Sequence, residues 1–450
     1  MKNSLFSIEK AFFCVIISIR YEGINVTEIK YIEDDLVGEK YKPGQSFHFR
    51  IAVPCVDVEN FGLLVEHDGQ NDANVHSLLK LAQEGKAPYC VSIGVTCGYL
   101  TTPDGNTRRM RMNSYDFFDR EYGDFIVYEL IPHVINKYGI KISDSPDMHM
   151  ISGGSSGGIS SFVVAWFHSD YFHRVYMSSP SFLAMGRGNE IPYLIRKYET
   201  KPFRIYEEWS ENEPNDYFGW SRGVDEVAKE SLIFAKYDFN YAYFPGEGHC
   251  SRYWDEIEAY KRNEWIWKDW KTKPIKALAN SERVDKVIPF GSTWEKCATF
   301  PKKVERDVPP ALAQQYKLVV LSNDEQLWYA TGEKDDVIYS HLNNGDYENG
   351  RCNLHAVLHT IPRISHSGVL DMAVDKGDRL YVLTEIGVQC IRSFGLIDLI
   401  LDLPDHSAPI KIAVADALYV QTENGIYKRA LCEECIADGD EKRKQISYYD

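Results

Sequence analysis

The sequence predicts an α/β fold from about residue 46 to about residue 271, a parallel sheet covered on both faces, followed by a smaller all-β region. Three observations carry this. Between about Ser46 and Trp270, runs of strand character alternate with runs of helical spacing. After about Tyr316 the helical runs give way to short β runs separated by turns. One strand also passes into a helix through Gly153-Gly154-Ser155-Ser156-Gly157-Gly158, a junction at the strand end where open α/β sheets place their sites.

The elements follow in order. His48–Val53 alternates in hydrophobicity and ends at Pro54. Phe61–Val65 is a short apolar run that stops at Glu66-His67-Asp68-Gly69, and Tyr89–Val95 is another, closed by Gly98. Ile126, Leu130, Ile131, Val134 and Ile135 have helical spacing and predict a helix over Phe125–Tyr138. Strand Met148–Ile151, helix Gly157–Phe167, and strands Val175–Ser178 and Phe203–Tyr206 come next. Helix Val224–Tyr237, strand Tyr241–Phe244 and an aromatic helix Tyr253–Trp270 complete the alternation. Lys273-Pro-Ile-Lys276 and Val308-Pro309-Pro310 mark a linker. Beyond it, ten short β runs from Lys317–Leu321 to Gly425–Arg429, with turns such as Asn344-Gly345, suggest propeller blades or a sandwich. The expected organisation is an N-terminal extension (1–45), an α/β domain (46–271), a linker (272–315), the β region (316–430) and a charged tail (431–450).

Composition narrows the function. The 450 residues are 44% hydrophobic and 26% charged, ordinary for a globular protein. The formal net charge of -16 argues against a nucleic-acid partner, which needs a basic surface. The apolar run Ala11–Ile19 is too short to span a bilayer. Glu9 lies just upstream and Arg20-Tyr21 follow in place of a small-residue cleavage site, so a leader and a buried strand both fit and location stays open. Cys432 and Cys435 form a lone CxxC with no second pair at zinc-site spacing, so no metal, cofactor or disulfide is assigned.

The Gly153–Gly158 junction suits a nucleophile elbow, in which a serine occupies a strained turn and small neighbours let the helix pack close to the strand. Two G-x-S-x-G frames overlap. Ser155 is preferred over Ser156 because Gly153 and Gly157 flank it symmetrically, and Ser156 then supplies an oxyanion N–H. A phosphate loop would end in Gly-Lys-Ser/Thr, and no lysine is present. The triad order of α/β-hydrolases is Ser, acid, His. His168 and His173 follow the elbow helix directly, whereas His249 lies in Pro245-Gly-Glu-Gly-His249 after a strand, where the base belongs. The acid should follow Phe203–Tyr206. Glu213 is the first choice in that acidic loop and Asp216 the second. The second oxyanion N–H is expected after Phe61–Val65, at Gln70 or its neighbour Gly69. Trp209, Tyr217, Phe218 and Trp220 are either core or a stacking surface for a sugar or phenolic ring.

With these residues placed, Phe47 to Trp270 resembles the serine esterases related to enterochelin esterase and to the feruloyl and acetyl-xylan esterases. The shared marks are Asp68-Gly69-Gln70, Tyr115…Phe125…Glu129-Leu-Ile-Pro132, Gly153-x-Ser155-x-Gly157-Gly158, Asp170-x-Phe172-x-x-Val175 and Gly248-His249. The family carries Asp in a Gly-x-x-Asp turn where this chain reads Ser210-Glu-Asn-Glu213. The resemblance implies an α/β-hydrolase acting through an acyl-enzyme on a carbohydrate-linked or small aryl or alkyl ester. The C-terminal region is similar to the senescence-marker/gluconolactonase propellers, in Leu321-Ser-Asn-Asp324, Asp371-Met-Ala-Val-Asp375 and Leu418-Tyr-Val. It holds strands for about three four-stranded blades where that propeller has six, and near Asp371 it lacks the family's Asp-Gly pair. It reads as a partial propeller suited to packing or to homo-oligomer contacts. A calcium-dependent lactone hydrolase and a non-catalytic carbohydrate-binding scaffold are the alternatives.

Overall fold

A computed structural model describes residues 15–17, 27–183, 186, 188–280, 282–303, 306–347, 352–360 and 368–436. Most of the run Ala11–Ile19 and most of the expected charged tail lie outside the described residues. The chain divides into two compact units. The first takes the chain up to Pro192 with Lys201–Ile233 and Tyr237–Ala277, and the second takes Tyr193–Thr200, Phe234–Lys236 and everything from Leu278.

The first unit is built on one large mixed sheet. Its opening strands are β1 (Val15–Ile17), β2 (Ile29–Val37), β3 (Ser46–Pro54) and β4 (Gly62–His67). Helix α1 (Asp72–Gln83) leads to β5 (Cys90–Val95), and a small hairpin follows, β6 (Tyr99–Thr101) and β7 (Thr107–Arg109). Next come α2 (Arg111–Tyr115), α3 (Glu121–Phe125) and α4 (Ile131–Tyr138), then β8 (His149–Gly154), α5 (Ser156–Phe167) and β9 (Arg174–Ser178). The chain then passes through α6 (Ile191–Lys197), most of which belongs to the second unit, and returns in β10 (Arg204–Asn212) and a two-residue-per-arm hairpin, β11 (Asn215–Asp216) and β12 (Gly219–Trp220). It closes with α7 (Ser221–Phe234), β13 (Asp238–Gly248) and α8 (Glu256–Ile266).

The strand order is β1-β2-β3-β5-β4-β8-β9-β10-β13, antiparallel from β1 to β5 and parallel from β5 to β13. Strands β4, β5 and β9 are buried along their whole length and β8 along all but its last residue, as expected of parallel strands covered on both faces. Leu64 and Met150 of the sheet pack with Leu78 and Leu81 of α1 and Ile266 of α8 in one apolar cluster.

Three features differ from the sequence expectation. The segment read as an extension contributes β2, which pairs with β3 along nine registered positions, Ile29↔Pro54 to Val37↔Ser46. Its alternation is masked by Glu33, Asp34 and Asp35 on the more exposed half of the strand. The helix α1, capped by Asn71 Oδ1 accepting from the Ala73 amide, was not foreseen. The expected helix Phe125–Tyr138 is α3 and α4 joined by a π-helical turn over Ile126–Leu130. Pro132, which has no N–H to donate, sits at the start of α4, and a widened turn accommodates the lost bond.

The second unit contains α9 (Glu282–Asp285), β14 (Glu295–Cys297), α10 (Pro310–Gln315) and the β-strands β15 (Leu318–Leu321), β16 (Leu327–Thr331), β17 (Val337–Leu342) and β18 (Asn353–Val357). It continues with β19 (Val369–Val374), β20 (Leu380–Thr384), β21 (Gly387–Ile391) and β22 (Ile397–Leu401). The last elements are β23 (Pro409–Val414), β24 (Leu418–Thr422), β25 (Gly425–Arg429) and α11 (Glu433–Ile436). These strands form three four-stranded antiparallel sheets, ordered β15-β16-β17-β18, β19-β20-β21-β22 and β14-β25-β24-β23. Leu383, Val388 and Leu399 of the second sheet share a core with Ile412, Leu418 and Val420 of the third. Asp371 does not stand open: its carboxylate holds the Lys303 ammonium at 2.6 Å and accepts the Ile412 amide at 2.9 Å. No helix among the described residues is long and apolar enough to cross a membrane.

Candidate active site

The site forms at the C-terminal ends of neighbouring parallel strands, where β8, β9, β10 and β13 hand their chains to loops. Ser155 is the hinge between β8 and α5, at φ 58° and ψ −126°. An L-residue adopts that backbone only where its surroundings impose it. Here the Ser155 N–H is tied to the Ser178 carbonyl at 2.8 Å, and its own carbonyl receives the Gly158 N–H at 2.9 Å. The flanking glycines make the turn possible. A Cβ on Gly153 would lie 2.4 Å from the Gly157 backbone, and one on Gly157 would lie 3.1 Å from His67 Cβ. Buried His67 supports the first helical turn from below. Burial pushes its imidazole down to about 4, and Nδ1 lies 3.0 Å from the Gly157 carbonyl.

Glu213 and His249 are brought together by strand pairing. In the β10–β13 ladder Ser210 faces Phe244 and, after a bulge, Asn212 faces Gly248. The next residue on each strand is Glu213 and His249, which therefore leave the sheet side by side. Glu213 Oε2 lies 2.5 Å from His249 Nδ1, with the glutamate side chain fully buried and the imidazole 34% exposed. Burial lowers the imidazole pKa, but its hydrogen bonds to Cys250 and Glu213, which favour the charged form, outweigh it and raise the group to about 10. Glu213 Oε1 accepts the Ser179 hydroxyl at 2.5 Å and the Ser210 amide at 3.2 Å. Asp216 lies on the exposed hairpin and caps the Phe218 amide at 2.9 Å.

Ser155, Glu213 and His249 line one cavity of about 120 Å³ with Ser181, Leu183, Trp209, Pro214, Asp216 and Phe218 among its walls. The Ser155 hydroxyl lies 2.9 Å from Ser181 Oγ, and no hydrogen bond joins it to His249 among the described residues. Ser156 is the first residue of α5, where backbone amides have no intrahelical partner, and burial raises the pKa of nearby Asp116. Gln70 Nε2 reaches Ser92 Oγ at 3.1 Å, and the Gln70 backbone rests on Gly94, where a Cβ would meet it at 2.3 Å. It is Asp68, held by Arg111 at 2.6 Å, whose carboxylate lies against Gly157. Of the four aromatic residues left open by the sequence, Trp209 is buried, whereas Tyr217, Phe218 and Trp220 are exposed on the β11–β12 hairpin.

The Esterase family model matches residues 43–306, more than half of the chain and all of the cavity's lining. The chain belongs to the Esterase family. It is accordingly an ester hydrolase of the α/β-hydrolase type, in keeping with its mixed sheet flanked by helices. Solved structures similar to it include the enterobactin esterase of Shigella flexneri, 16% identical, with a TM-score of 0.39 over 52% of this chain and 58% of that one. A ferulic acid esterase of Anaeromyces mucronatus is 13% identical, with a TM-score of 0.39 over 57% of this chain and 95% of that one. An S-formylglutathione hydrolase of Agrobacterium tumefaciens is 12% identical, with a TM-score of 0.40 over 56% of this chain and 98% of that one. No curated protein matches the chain.

Sequence reasoning missed Ser179, Ser181 and Cys250. A run of small polar residues, Ser178-Ser179-Pro180-Ser181, directly after the strand beside the elbow is the signal that could have found the first two.

Proposed function

We propose that this esterase is a serine carboxylic-ester hydrolase working through an acyl-enzyme. The observation that carries the proposal is the pair of buried Glu213 and half-buried His249 opening onto the same cavity as a serine in a strained strand-to-helix turn. The Ser155 hydroxyl turns from Ser181 towards His249 Nε2 and attacks the ester carbonyl while the imidazole takes its proton. Glu213 holds Nδ1 and stabilises the imidazolium. The amides of Ser156 and Gln70 receive the oxyanion, each such donor contributing about 3 kcal/mol. Collapse releases the alcohol with the proton from His249, and a water activated by the same imidazole cleaves the acyl-serine. The small cavity suits a carbohydrate-linked or a small aryl or alkyl ester. The three C-terminal sheets, each with four antiparallel strands, are read as blades of a partial propeller serving packing or self-association.

Fluorophosphonate labelling tests the mechanism. The wild type and Ser156→Ala should label, and Ser155→Ala should not. A label that survives Ser155→Ala refutes the assignment, and a panel of acetyl, feruloyl and aryl esters assigns the substrate.

A further inference from the structure

The short turn after β9 touches Ser155, Glu213 and Cys250, the neighbour of His249. The Ser178 carbonyl receives the Ser155 amide at 2.8 Å and lies 3.4 Å from Cys250 Sγ. Ser181 approaches Ser155 twice, Oγ to Oγ at 2.9 Å and its amide to the Ser155 carbonyl at 3.2 Å. Between them sits Ser179, buried and held at φ 44°. Its amide donates to the Glu208 carbonyl at 2.7 Å, which fixes the turn to β10.

The Ser179 hydroxyl is spoken for on both sides. It accepts the Cys250 amide at 3.1 Å, from the residue that follows the base, and is 2.5 Å from Glu213 Oε1. A hydroxyl has one proton, and a carboxylate can only accept, so that proton goes to Glu213. Oε1 also takes the Ser210 amide, so this oxygen is occupied by two donors and only Oε2 is left to face His249. One side chain thus sets the rotation of the acid and the start of the loop that carries the base.

We infer that Ser179 is a positioning residue that fixes which oxygen of Glu213 meets His249. This rests on the triad reading above and deepens it. Because it acts through Glu213, its effect should vanish once Glu213 is altered. Ser179→Ala should lower kcat roughly ten- to a hundredfold, the worth of a hydrogen bond to a charged group, with KM little changed. It should also move the acid limb of the kcat/KM profile towards the ordinary histidine value. Added to Glu213→Gln it should cost less than about threefold more, the sign of coupled rather than independent residues. Independent, multiplying losses would overturn the inference.

A second measurement needs no turnover. The His249 Nδ1 proton should give a low-field proton resonance in the wild type and in Ser155→Ala, absent in Glu213→Gln. In Ser179→Ala it should broaden or move upfield while the melting temperature stays near wild type. An unchanged resonance overturns the positioning role even if no ester is turned over, whereas Ser155→Ala labelling decides the hydrolase reading separately. Should the alanine variant not fold, Ser179→Cys, which keeps the volume and weakens the donor, carries the same comparison.

Discussion

Replacing Glu213 by glutamine is the most informative single change, because the surroundings dictate how the amide will lie. Two donors, the Ser179 hydroxyl and the Ser210 amide, point at the Oε1 position. The glutamine carbonyl must occupy that position, which turns its NH2 towards His249 Nδ1. Nδ1 then has to accept, and the imidazole proton is forced to Nε2, where it blocks removal of the serine proton. The geometry stays nearly native while the tautomer is wrong. In the serine-protease triad that error costs about 10⁴ in kcat, and at 1.36 kcal/mol per decade it amounts to about 5.4 kcal/mol of barrier. The same loss is expected here in Glu213→Gln, measured as kcat on an aryl ester, with a native fold by circular dichroism. Asp216→Asn should stay within about twofold, since an exposed hairpin cap lies outside the bond to His249. Glu213→Gln activity within tenfold of wild type, or abolition by Asp216→Asn, would refute the reasoning.

Four further outcomes are expected. As the proposed base, His249 must be neutral to act, and its raised pKa places the half-maximum of kcat/KM above the usual 6.5, at up to about 10; a pH–rate profile centred below 6.5 would contradict this. The same shift links to stability: the charged His249–Glu213 pair contributes fully below about 6.5 and is lost as pH rises through about 10, so the stability difference between wild type and His249→Ala should shrink over that window. Buried Asp225 has a raised pKa from burial and from the neighbouring Glu207 carboxylate, so its contribution is present at acid pH and lost as pH rises; denaturant titrations should show Asp225→Asn gaining on wild type from pH 5 to pH 9, and a flat difference would count against it. Gly153→Ala would press a methyl into the Gly157 backbone, costing about 1–3 kcal/mol and lowering both the melting temperature and fluorophosphonate labelling; a silent substitution would argue against the tight elbow.

What could be read in advance was local. The elbow was legible because strand, glycine-rich turn and helix are consecutive in the chain, and Gly153 is needed because of Gly157, four residues on, although Gly157 itself answers to distant His67. The central strands β4, β5 and β8 were legible as apolar runs, since parallel strands buried on both faces need no alternation. The approach of Glu213 to His249 depends on a bulge in the β10–β13 ladder, and no sequence pattern states where such a bulge falls. Ser179 was invisible for a related reason: its partners lie 34 and 71 residues away, and a serine after a strand is unremarkable until the turn folds. The assignment of 272–315 to a linker overlooked β14, because three residues ending at Cys297 carry too little alternation to register as a strand.

That strand has a consequence for how the second unit comes into being. In the sheet β14-β25-β24-β23, Glu295 pairs with Lys428 and Cys297 with Ile426. A ribosome delivers β14 about 130 residues before its partner, and the other two sheets, each made of strands consecutive in the chain, are synthesised in between. The early strand must wait with its backbone donors and acceptors open until the last hairpin arrives. Closure of this sheet therefore follows synthesis of both its neighbours, and the step that governs it is the closing of a loop of about 130 residues rather than the forming of a hairpin.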